Sequence, residues 1–444
     1  MKIIFKTIIL IFLLISISFA QVPDTIIIKT KRIKGFGPFS VGLSFAKTMD
    51  SNNTWKNTLP EIKGIPNNLE HIMIAIEQTD FMQHTYQLYH SGKISEERFS
   101  ELKKSWNWNP LEKEYSKDFI KVDLAIVAGY DKNGLLKIKV DKNNNYDLSD
   151  DKYFTLPDKL PGQNFWGRYN DNLPFEITYE YYNGKNIIQN KAWLYIDYSP
   201  LQYNSKEKEP NPIVLSYAFA EYHLGEFTVN GIKYFAAIKS DRVTFRDNYK
   251  IKVWNENSEK GDSKFNEGIS RNGFVKIENY YYRFDRASID GKRIILIKDQ
   301  SVKEKGGNQV GLKAINFVSK SISGNKIELS KLKGNFVFLD FWGTWCSPCR
   351  AEIPKLKSIY NQYKDKNLVM IGIANDNIEN LNKYITENGI QWEQIIQSED
   401  KQIITDYGVN SYPTTFLIDE KGVIIAKGIR AEELSNKLEK LFNK

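Results

Sequence analysis

Apolar and polar residues alternate along much of residues 120–300, and clusters of Gly, Asn and Asp separate the alternating stretches. Short stretches with a two-residue period are typical of antiparallel β-strands. Before residue 120 the apolar positions follow a helical spacing in two places, and the second begins with a capping sequence at Ser95. We therefore expect a mainly antiparallel β region with some helix, an α+β region. Its predicted helices are at 69–88 and 95–106, and its predicted strands are at 119–128, 135–140, 175–182, 192–198, 231–239 and 293–298.

The last third of the chain has a different pattern, in which strands and helices alternate. A polar, glycine-containing segment at 299–308 has the composition of a linker and precedes this part. Strand–helix alternation predicts an α/β domain, and the final pair of strands predicts a mixed sheet. The predicted strands are at 335–341, 368–374, 392–396, 411–419 and 423–427. One predicted helix follows residue 350 and ends at 363, and three more span 378–388, 401–407 and 432–442.

The N-terminus has the pattern of a secretory signal peptide. Lys2 and Lys6 flank the start of an apolar run at residues 7–19, and Ser18 and Ala20 are small residues suited to signal peptidase. The run is shorter than the roughly 20 residues that span a bilayer. We therefore expect cleavage after Ala20 and export to the periplasm or cell envelope, with an uncleaved membrane anchor as the alternative.

These patterns predict three parts of the chain. Residues 1–20 are the signal peptide, residues 21–305 the β-rich region, and residues 306–444 the α/β domain. The β-rich region divides further into a partly helical part at 21–120 and a β part at 121–300.

The composition is that of a globular protein, with 41% hydrophobic and 26% charged residues. The 62 Lys and Arg residues outnumber the 54 Asp and Glu residues, but they form no long basic tract. Because a nucleic-acid-binding surface needs clustered positive charge, we expect no nucleic-acid partner. The chain has only two cysteines, Cys346 and Cys349. The exported residues before Cys346 must therefore fold without a disulfide.

The segment at residues 141–151, DKNNNYDLSDD, has oxygen-bearing side chains at alternate positions. This spacing resembles EF-hand-like and dockerin-like loops, which surround a Ca²⁺ ion with oxygen ligands. Tyr146 stands where such loops have a turn glycine, and Lys152 where they have a bidentate glutamate. A polar hairpin turn explains the same residues without a metal, so both interpretations stay open. The candidate calcium ligands are Asp141, Asn143, Asn145, Asp147 and Asp151.

The sequence WGTWCSPCR at residues 342–350 contains both cysteines, and three interpretations apply to the pair. A zinc site usually needs four ligands, and no second cysteine pair and no histidine after His223 is available. A purely structural disulfide across two residues would restrain little of the unfolded chain. A redox pair has positive support, because Cys346 follows a buried-type strand and stands where a helix begins, and the start of a helix favours a thiolate.

Three segments in this order resemble the thioredoxin superfamily, and specifically the bacterial envelope group that includes TlpA and ResA. They are Asp340 to Arg350 (DFWGTWCSPCR), Glu352 with Pro354, and Tyr412 to Asp419 (YPTTFLID). An additional strand–helix segment at 368–396 also matches that group, and the resemblance extends from Gly311 onward. It implies a thioredoxin-like α/β fold for the C-terminal domain. Residues 21–305 resemble no family that we can name.

The resemblance also implies roles for particular residues. Cys346 would be the nucleophile that attacks a substrate disulfide, and Cys349 the thiol that resolves the mixed disulfide. Pro413 matches the cis-proline of the family. Trp345 would shield Cys346 and contact substrates, and Tyr412 would pair with a bound peptide through its backbone.

Two carboxylates are candidates for proton transfer at the cysteine pair. Asp340 matches the buried acid of thioredoxin, and burial would disfavour its charged form, which suits it to accept the Cys349 proton. Glu352 matches the acid of the ResA-like group. The alternative for Asp340 is a buried acid whose hydrogen bonds are satisfied and that transfers no proton. The alternative for Glu352 is an ordinary glutamate on the surface of a helix.

The resulting hypothesis is an exported thiol–disulfide oxidoreductase that reduces envelope proteins and needs no cofactor for its redox chemistry. By analogy, its partners are disulfide-containing envelope proteins, among them apocytochrome c, and a membrane electron donor of the DsbD or CcdA type. The alternatives are a dithiol oxidase and a binding or scaffold protein that acts through its N-terminal region. Peroxiredoxins share the fold, but their chemistry needs a threonine and a proline where this chain has Gly343 and Leu339.

Overall fold

The computed structural model describes residues 22–40, 42–46, 55–106, 108–156, 173–198, 213–246, 248–257, 268–397 and 401–442, without the side chains of 56, 304, 305 and 401. The predicted signal peptide at 1–20 lies outside the described residues. Among the described residues, no helix is both long and apolar enough to cross a bilayer.

The N-terminal region is built mainly from antiparallel strands. Its described residues form helices α1 (Phe81–His90) and α2 (Glu96–Ser105) and short 3₁₀ turns at Lys56–Thr58 and Glu112–Glu114. The strands are β1 (Thr25–Lys34), β2 (Ser44–Phe45), β3 (Glu70–Gln78), β4 (Asp123–Tyr130), β5 (Leu136–Val140), β6 (Phe175–Tyr182), β7 (Ile187–Tyr198), β8 (Leu215–Phe219), β9 (Glu221–Val229), β10 (Ile232–Ser240), β11 (Tyr249–Asn255), β12 (Ile269–Ser270), β13 (Phe274–Ile277), β14 (Tyr280–Ala287) and β15 (Arg293–Lys298).

Strand β1 joins the two halves of an eight-stranded sheet with the order β12-β11-β10-β9-β1-β15-β14-β13. Its first half pairs with β15, and its second half pairs with β9. Alternate residues of these strands form one apolar core, so the two-residue period of the sequence becomes one buried face. Ile28, Tyr282 and Phe284 are among its fully buried members.

A three-stranded sheet (β3-β4-β5) and a four-stranded sheet (β2-β8-β7-β6) share a second apolar core. Strand β4 is buried on both faces except at its last residue, which is why it is a nearly continuous apolar run in the sequence. Ile126 and Ile138 of the first sheet and Leu194 of the second are fully buried in this core.

The predicted helix at 69–88 is wrong in its first half. Residues Glu70–Gln78 form β3, which pairs with β4, and helix α1 begins only after Asp80. The side chain of Asp80 accepts a hydrogen bond from the backbone N–H of Gln83 and caps the helix. A short apolar run such as IMIAI fits both the period of a helix and the period of a strand, and the pairing with β4 decides in favour of a strand.

The C-terminal domain alternates strands and helices. Its helices are α3 (Val302–Lys305), α4 (Ser347–Tyr363), α5 (Ile378–Asn388), α6 (Lys401–Tyr407) and α7 (Ala431–Phe442), and a 3₁₀ turn lies at Leu329–Leu332. The strands are β16 (Val318–Lys320), β17 (Lys326–Glu328), β18 (Phe336–Trp342), β19 (Leu368–Ala374), β20 (Glu393–Ile396), β21 (Thr414–Ile418) and β22 (Ile424–Lys427).

A five-stranded mixed sheet with the order β20-β19-β18-β21-β22 forms the centre of this domain. Strands β18, β19 and β20 are parallel, and β21 runs antiparallel to β18. Every residue of β18 is buried, because apolar cores cover both faces of the sheet. The first core includes Trp342 and both cysteines. The α/β class and thioredoxin-like domain predicted from the sequence are thereby confirmed.

Candidate active site

Cys346 and Cys349 form a disulfide at the start of helix α4. Their Cα atoms are 5.3 Å apart, and both side chains are buried, with 4% and 3% of their surfaces exposed. Cys346 is the N-cap residue, and its Sγ accepts a hydrogen bond of 3.2 Å from the backbone N–H of Cys349. A helix N-terminus stabilises negative charge, so this position favours the thiolate form of Cys346 once the disulfide is reduced.

The local sequence explains how the pair reaches this position. Strand β18 ends at Trp342. The chain then makes a tight turn, which is closed by a hydrogen bond of 3.1 Å from the backbone N–H of Cys346 to the carbonyl of Gly343. A Cβ atom at Gly343 would lie 2.7 Å from the indole nitrogen of Trp345 and 3.1 Å from the carbonyl oxygen of Asn375, so a larger residue would displace the indole from its hydrogen bond to that carbonyl. Pro348 lies in the first turn of α4, where a missing N–H costs no helical hydrogen bond.

Two aromatic side chains, those of Trp345 and Tyr412, contact each other beside the buried disulfide. Trp345 is 59% exposed, its Nε1–H donates to the carbonyl of Asn375 (2.8 Å), and its ring meets that of Tyr412 edge to face at 5.5 Å. The Tyr412–Pro413 peptide bond is cis, as the resemblance implies. The structure therefore brings Trp345, Tyr412 and Pro413 together at the cysteine pair, although Pro413 lies 67 residues after Cys346 in the sequence.

We expect Trp345→Ala to reduce activity on protein substrates more than activity on small disulfides. The exposed indole of Trp345 is held in place by its hydrogen bond to Asn375 and is available to pack against a bound polypeptide. Such tryptophans commonly carry much of the binding free energy. The expected loss in kcat/KM for a folded disulfide protein is about tenfold, with little change for a small aromatic disulfide. Ile378→Ala is the control, because Ile378 is also an exposed apolar residue of this domain. Equal losses on both substrates would contradict a substrate-contact role for Trp345.

Asp340 lies behind the cysteine pair, in the middle of β18. It is 4% exposed and shares a cavity of about 10 Å³ with Cys349, Glu352, Pro413 and Arg430. A cavity of this size holds about one water molecule. Burial, followed by the negative charge of Glu352, raises the pKa of the Asp340 carboxyl from 3.8 to about 7, and Arg430 opposes this rise. Near neutral pH this carboxyl can therefore both accept and release a proton.

Glu352 lies on helix α4 at the edge of the same cavity. Its Oε2 accepts a hydrogen bond of 2.6 Å from the backbone N–H of Ala431, the first residue of α7. The contact connects the active-site helix to the C-terminal helix and holds the Glu352 carboxylate near Asp340.

We expect Glu352→Gln to lower the pKa of Asp340. The substitution removes a negative charge that disfavours ionisation of Asp340, while the glutamine oxygen can still accept the Ala431 N–H. The pH midpoint of mixed-disulfide resolution should therefore move to lower pH. The measurement is the rate of resolution across a pH series, with Glu432→Gln, an exposed residue of α7, as the charge-matched control. An unchanged midpoint, or one at higher pH, would count against this coupling.

Several residues that support the site were not identified from the sequence. The indole N–H of the buried Trp342 donates to Gln394 (3.0 Å), and the backbone N–H of Thr344 donates to Asp376 (2.7 Å). Asn375 and Asp376 follow β19, whose carboxyl end meets that of β18 because the two strands are parallel. Strand β20 has the sequence EQII, in which nothing marks Gln394 as the buried partner of Trp342.

The structure does not support the predicted calcium site at 141–151. Among the described residues, no group of three or more His, Cys, Asp or Glu side chains is placed to hold a metal ion. The predicted ligands instead make hydrogen bonds of a tight polar turn: Asp141 accepts from the N–H groups of Asn145 and Tyr146, Asn143 and Asn145 donate to Asp150, Asp147 accepts from Ser149, and Asp151 accepts from Lys142.

Comparisons with known proteins concern the C-terminal domain. A family model described as the AhpC/TSA family matches residues 310–427. The chain is similar to thiol–disulfide oxidoreductase ResA of Bacillus thuringiensis, with 38% identity over 142 residues, which are 32% of this chain and 81% of that protein. It is also similar to ResA of Bacillus subtilis, with 36% identity over 117 residues, which are 26% of this chain and 64% of that protein.

Among solved structures, the chain is similar to the thioredoxin domain of a thiol–disulfide oxidoreductase from Bacteroides vulgatus. The identity is 33%, the match covers 30% of this chain and 97% of that one, and the TM-score is 0.29.

Proposed function

The chain belongs to the ResA-like thiol–disulfide oxidoreductases of the thioredoxin superfamily, and we propose that it is an exported reductase of disulfides in cell-envelope proteins. One arrangement carries this proposal. Cys346 caps helix α4 beneath the exposed Trp345, and Cys349 shares a cavity with the buried Asp340. In this proposal Cys346 acts as the nucleophile, Cys349 as the resolving thiol and the buried Asp340 as the proton acceptor. Peroxiredoxin chemistry has less support, because Gly343 stands where it needs a threonine.

The reducing reaction starts from the dithiol. The Cys346 thiolate attacks one sulfur of the substrate disulfide, and the other substrate sulfur leaves as a thiolate that takes up a proton. Cys349 then loses its proton to the Asp340 carboxylate and attacks the Cys346 sulfur. This step forms the Cys346–Cys349 disulfide and releases the second substrate thiol. Two electrons pass from the protein to the substrate in each cycle.

Each turnover leaves the pair oxidised, so the protein needs an electron donor. By analogy with the family, we assign this role to a membrane donor of the DsbD or CcdA type. Substrates would be disulfide-containing envelope proteins, of which apocytochrome c is one candidate. Export rests on the signal-peptide pattern of residues 1–20, with cleavage after Ala20.

The reduction potential of the pair tests the proposed direction. The purified protein would be equilibrated with graded glutathione redox buffers, and the thiols would be alkylated and counted by mass. We expect a potential near that of thioredoxin, about −270 mV. A value near about −120 mV, typical of a strong envelope oxidant, would contradict the reductase assignment and favour a dithiol oxidase.

A further inference from the structure

A groove of about 1260 Å³ lies between the eight-stranded sheet and the C-terminal domain. One wall consists of residues 268–274, around β12 and the start of β13, together with Lys250 of β11. The other wall consists of the linker after α3, strand β22 and helix α7. Both parts of the chain are therefore needed to form it.

Positive charge predominates in this groove. Among the described residues, its lining includes five basic side chains and one acidic side chain, whereas the whole chain has 62 basic and 54 acidic residues, so this lining is more basic than the chain as a whole. The acidic side chain, Glu433, accepts a hydrogen bond of 3.2 Å from the backbone N–H of Arg430. The Nε–H of Arg271 donates a hydrogen bond of 2.9 Å to a neutral acceptor, the backbone carbonyl of Asp285. The basic residues are Lys250, Arg271, Lys427, Lys437 and Lys440.

The groove reaches the redox site at two points. Ile429 lines both the groove and the small cavity behind Cys349. Asn410 lines the groove two residues before Tyr412, which begins the cis peptide bond beside the cysteine pair. The groove therefore begins close to the redox site, within reach of the residues that flank a disulfide bound at Cys346.

We propose that this groove binds an acidic segment of the substrate polypeptide whose disulfide is reduced at Cys346. The inference rests on the proposed function and gives its substrate class a chemical definition. Charges of opposite sign attract over a Debye length of about 8 Å at physiological ionic strength, and a cleft of one sign raises association rates by about tenfold or more. The N-terminal region contributes Lys250 and Arg271, which gives it a role in substrate recruitment.

Two peptides with the same internal disulfide would test the proposal. One carries a flanking run of glutamates, and the other carries glutamines at the same positions. Binding to the oxidised protein would be measured by fluorescence anisotropy, and reduction by the dithiol protein would be followed by thiol release. The variant is Lys250→Gln with Arg271→Gln, since neither residue belongs to the redox site. The control is Lys320→Gln with Lys326→Gln, two exposed lysines on the β16–β17 hairpin outside the groove.

We expect the native protein to bind and reduce the glutamate peptide about tenfold better than the glutamine peptide at low ionic strength. The groove variant should lose most of this preference, and the hairpin control should keep it. Equal binding of the two peptides, or a preference that survives in the groove variant, would overturn the inference. Preferential binding of the glutamate peptide without reduction of either peptide would support the groove and contradict the proposed reductase activity.

Discussion

Replacing Cys346 by serine should abolish disulfide exchange, with a loss in rate of roughly 10⁴-fold or more. The thiolate is the nucleophile, and a serine hydroxyl at this position cannot form a disulfide with the substrate. The only other cysteine of the chain is Cys349, whose proposed role is to resolve the mixed disulfide. The measurement is the second-order rate constant for reduction of a disulfide peptide by the pre-reduced protein.

Cys349→Ser is the matched variant for this experiment. Cys346 can still attack, but no second thiol resolves the product, so a covalent complex with the substrate should accumulate. Non-reducing gels would detect this complex, and dithiothreitol should release it. If Cys346→Ser trapped substrate and Cys349→Ser did not, the assignment of nucleophile and resolving thiol would be reversed.

Replacing Asp340 by asparagine should lower activity while it raises stability. Because the pKa of Asp340 is about 7 in the folded protein, its carboxylate is available to accept the Cys349 proton only above that pH. The native protein should therefore resolve mixed disulfides faster as the pH rises through about 7. Asp340→Asn should lose this inflection, with a rate about 10²-fold lower on the alkaline side.

The stability effect has the opposite sign. A carboxyl whose pKa is raised by folding stabilises the protein when protonated, and this contribution is lost as the pH rises from the usual value of 3.8 to about 7. Above that range the native protein carries a buried charge that asparagine lacks. The free energy of unfolding of Asp340→Asn should then exceed that of the native protein by on the order of 3 kcal/mol.

Denaturant titrations and rates of mixed-disulfide resolution across a pH series would measure the two effects. Asp365→Asn is the control, because it removes the same charge from an exposed site on the same domain. A purely structural role for Asp340 predicts lower stability and an unchanged pH–rate profile, and that result would contradict proton transfer through this residue.

Sequence patterns predicted the C-terminal domain well because its elements are long and regular. The predicted strand at 368–374 and helix at 378–388 match β19 and α5 residue for residue. The resemblance to the TlpA and ResA group is confirmed by the similarity to ResA proteins. In contrast, the roles assigned to Asp340 and Glu352 stay predictions, as does the division of the chain at residue 305.

The N-terminal region was harder to predict because long-range pairing decides its structure. Strand β1 pairs with β9, about 190 residues later in the chain, and with β15, about 270 residues later. No local pattern at Thr25–Lys34 indicates these partners. The same limit applies to the basic groove, whose cations come from β11, the β12–β13 turn, β22 and α7. Only folding brings these positions together.

The redox state of the cysteine pair in living cells tests the central claim most directly. Cells would be quenched with acid, and free thiols would be tagged with a maleimide that shifts the mass of the protein. A reductase supplied by a membrane donor should hold Cys346 and Cys349 mostly as free thiols in an oxidising envelope. A pair found mostly as the disulfide in these cells would contradict the reductase account and indicate an oxidant.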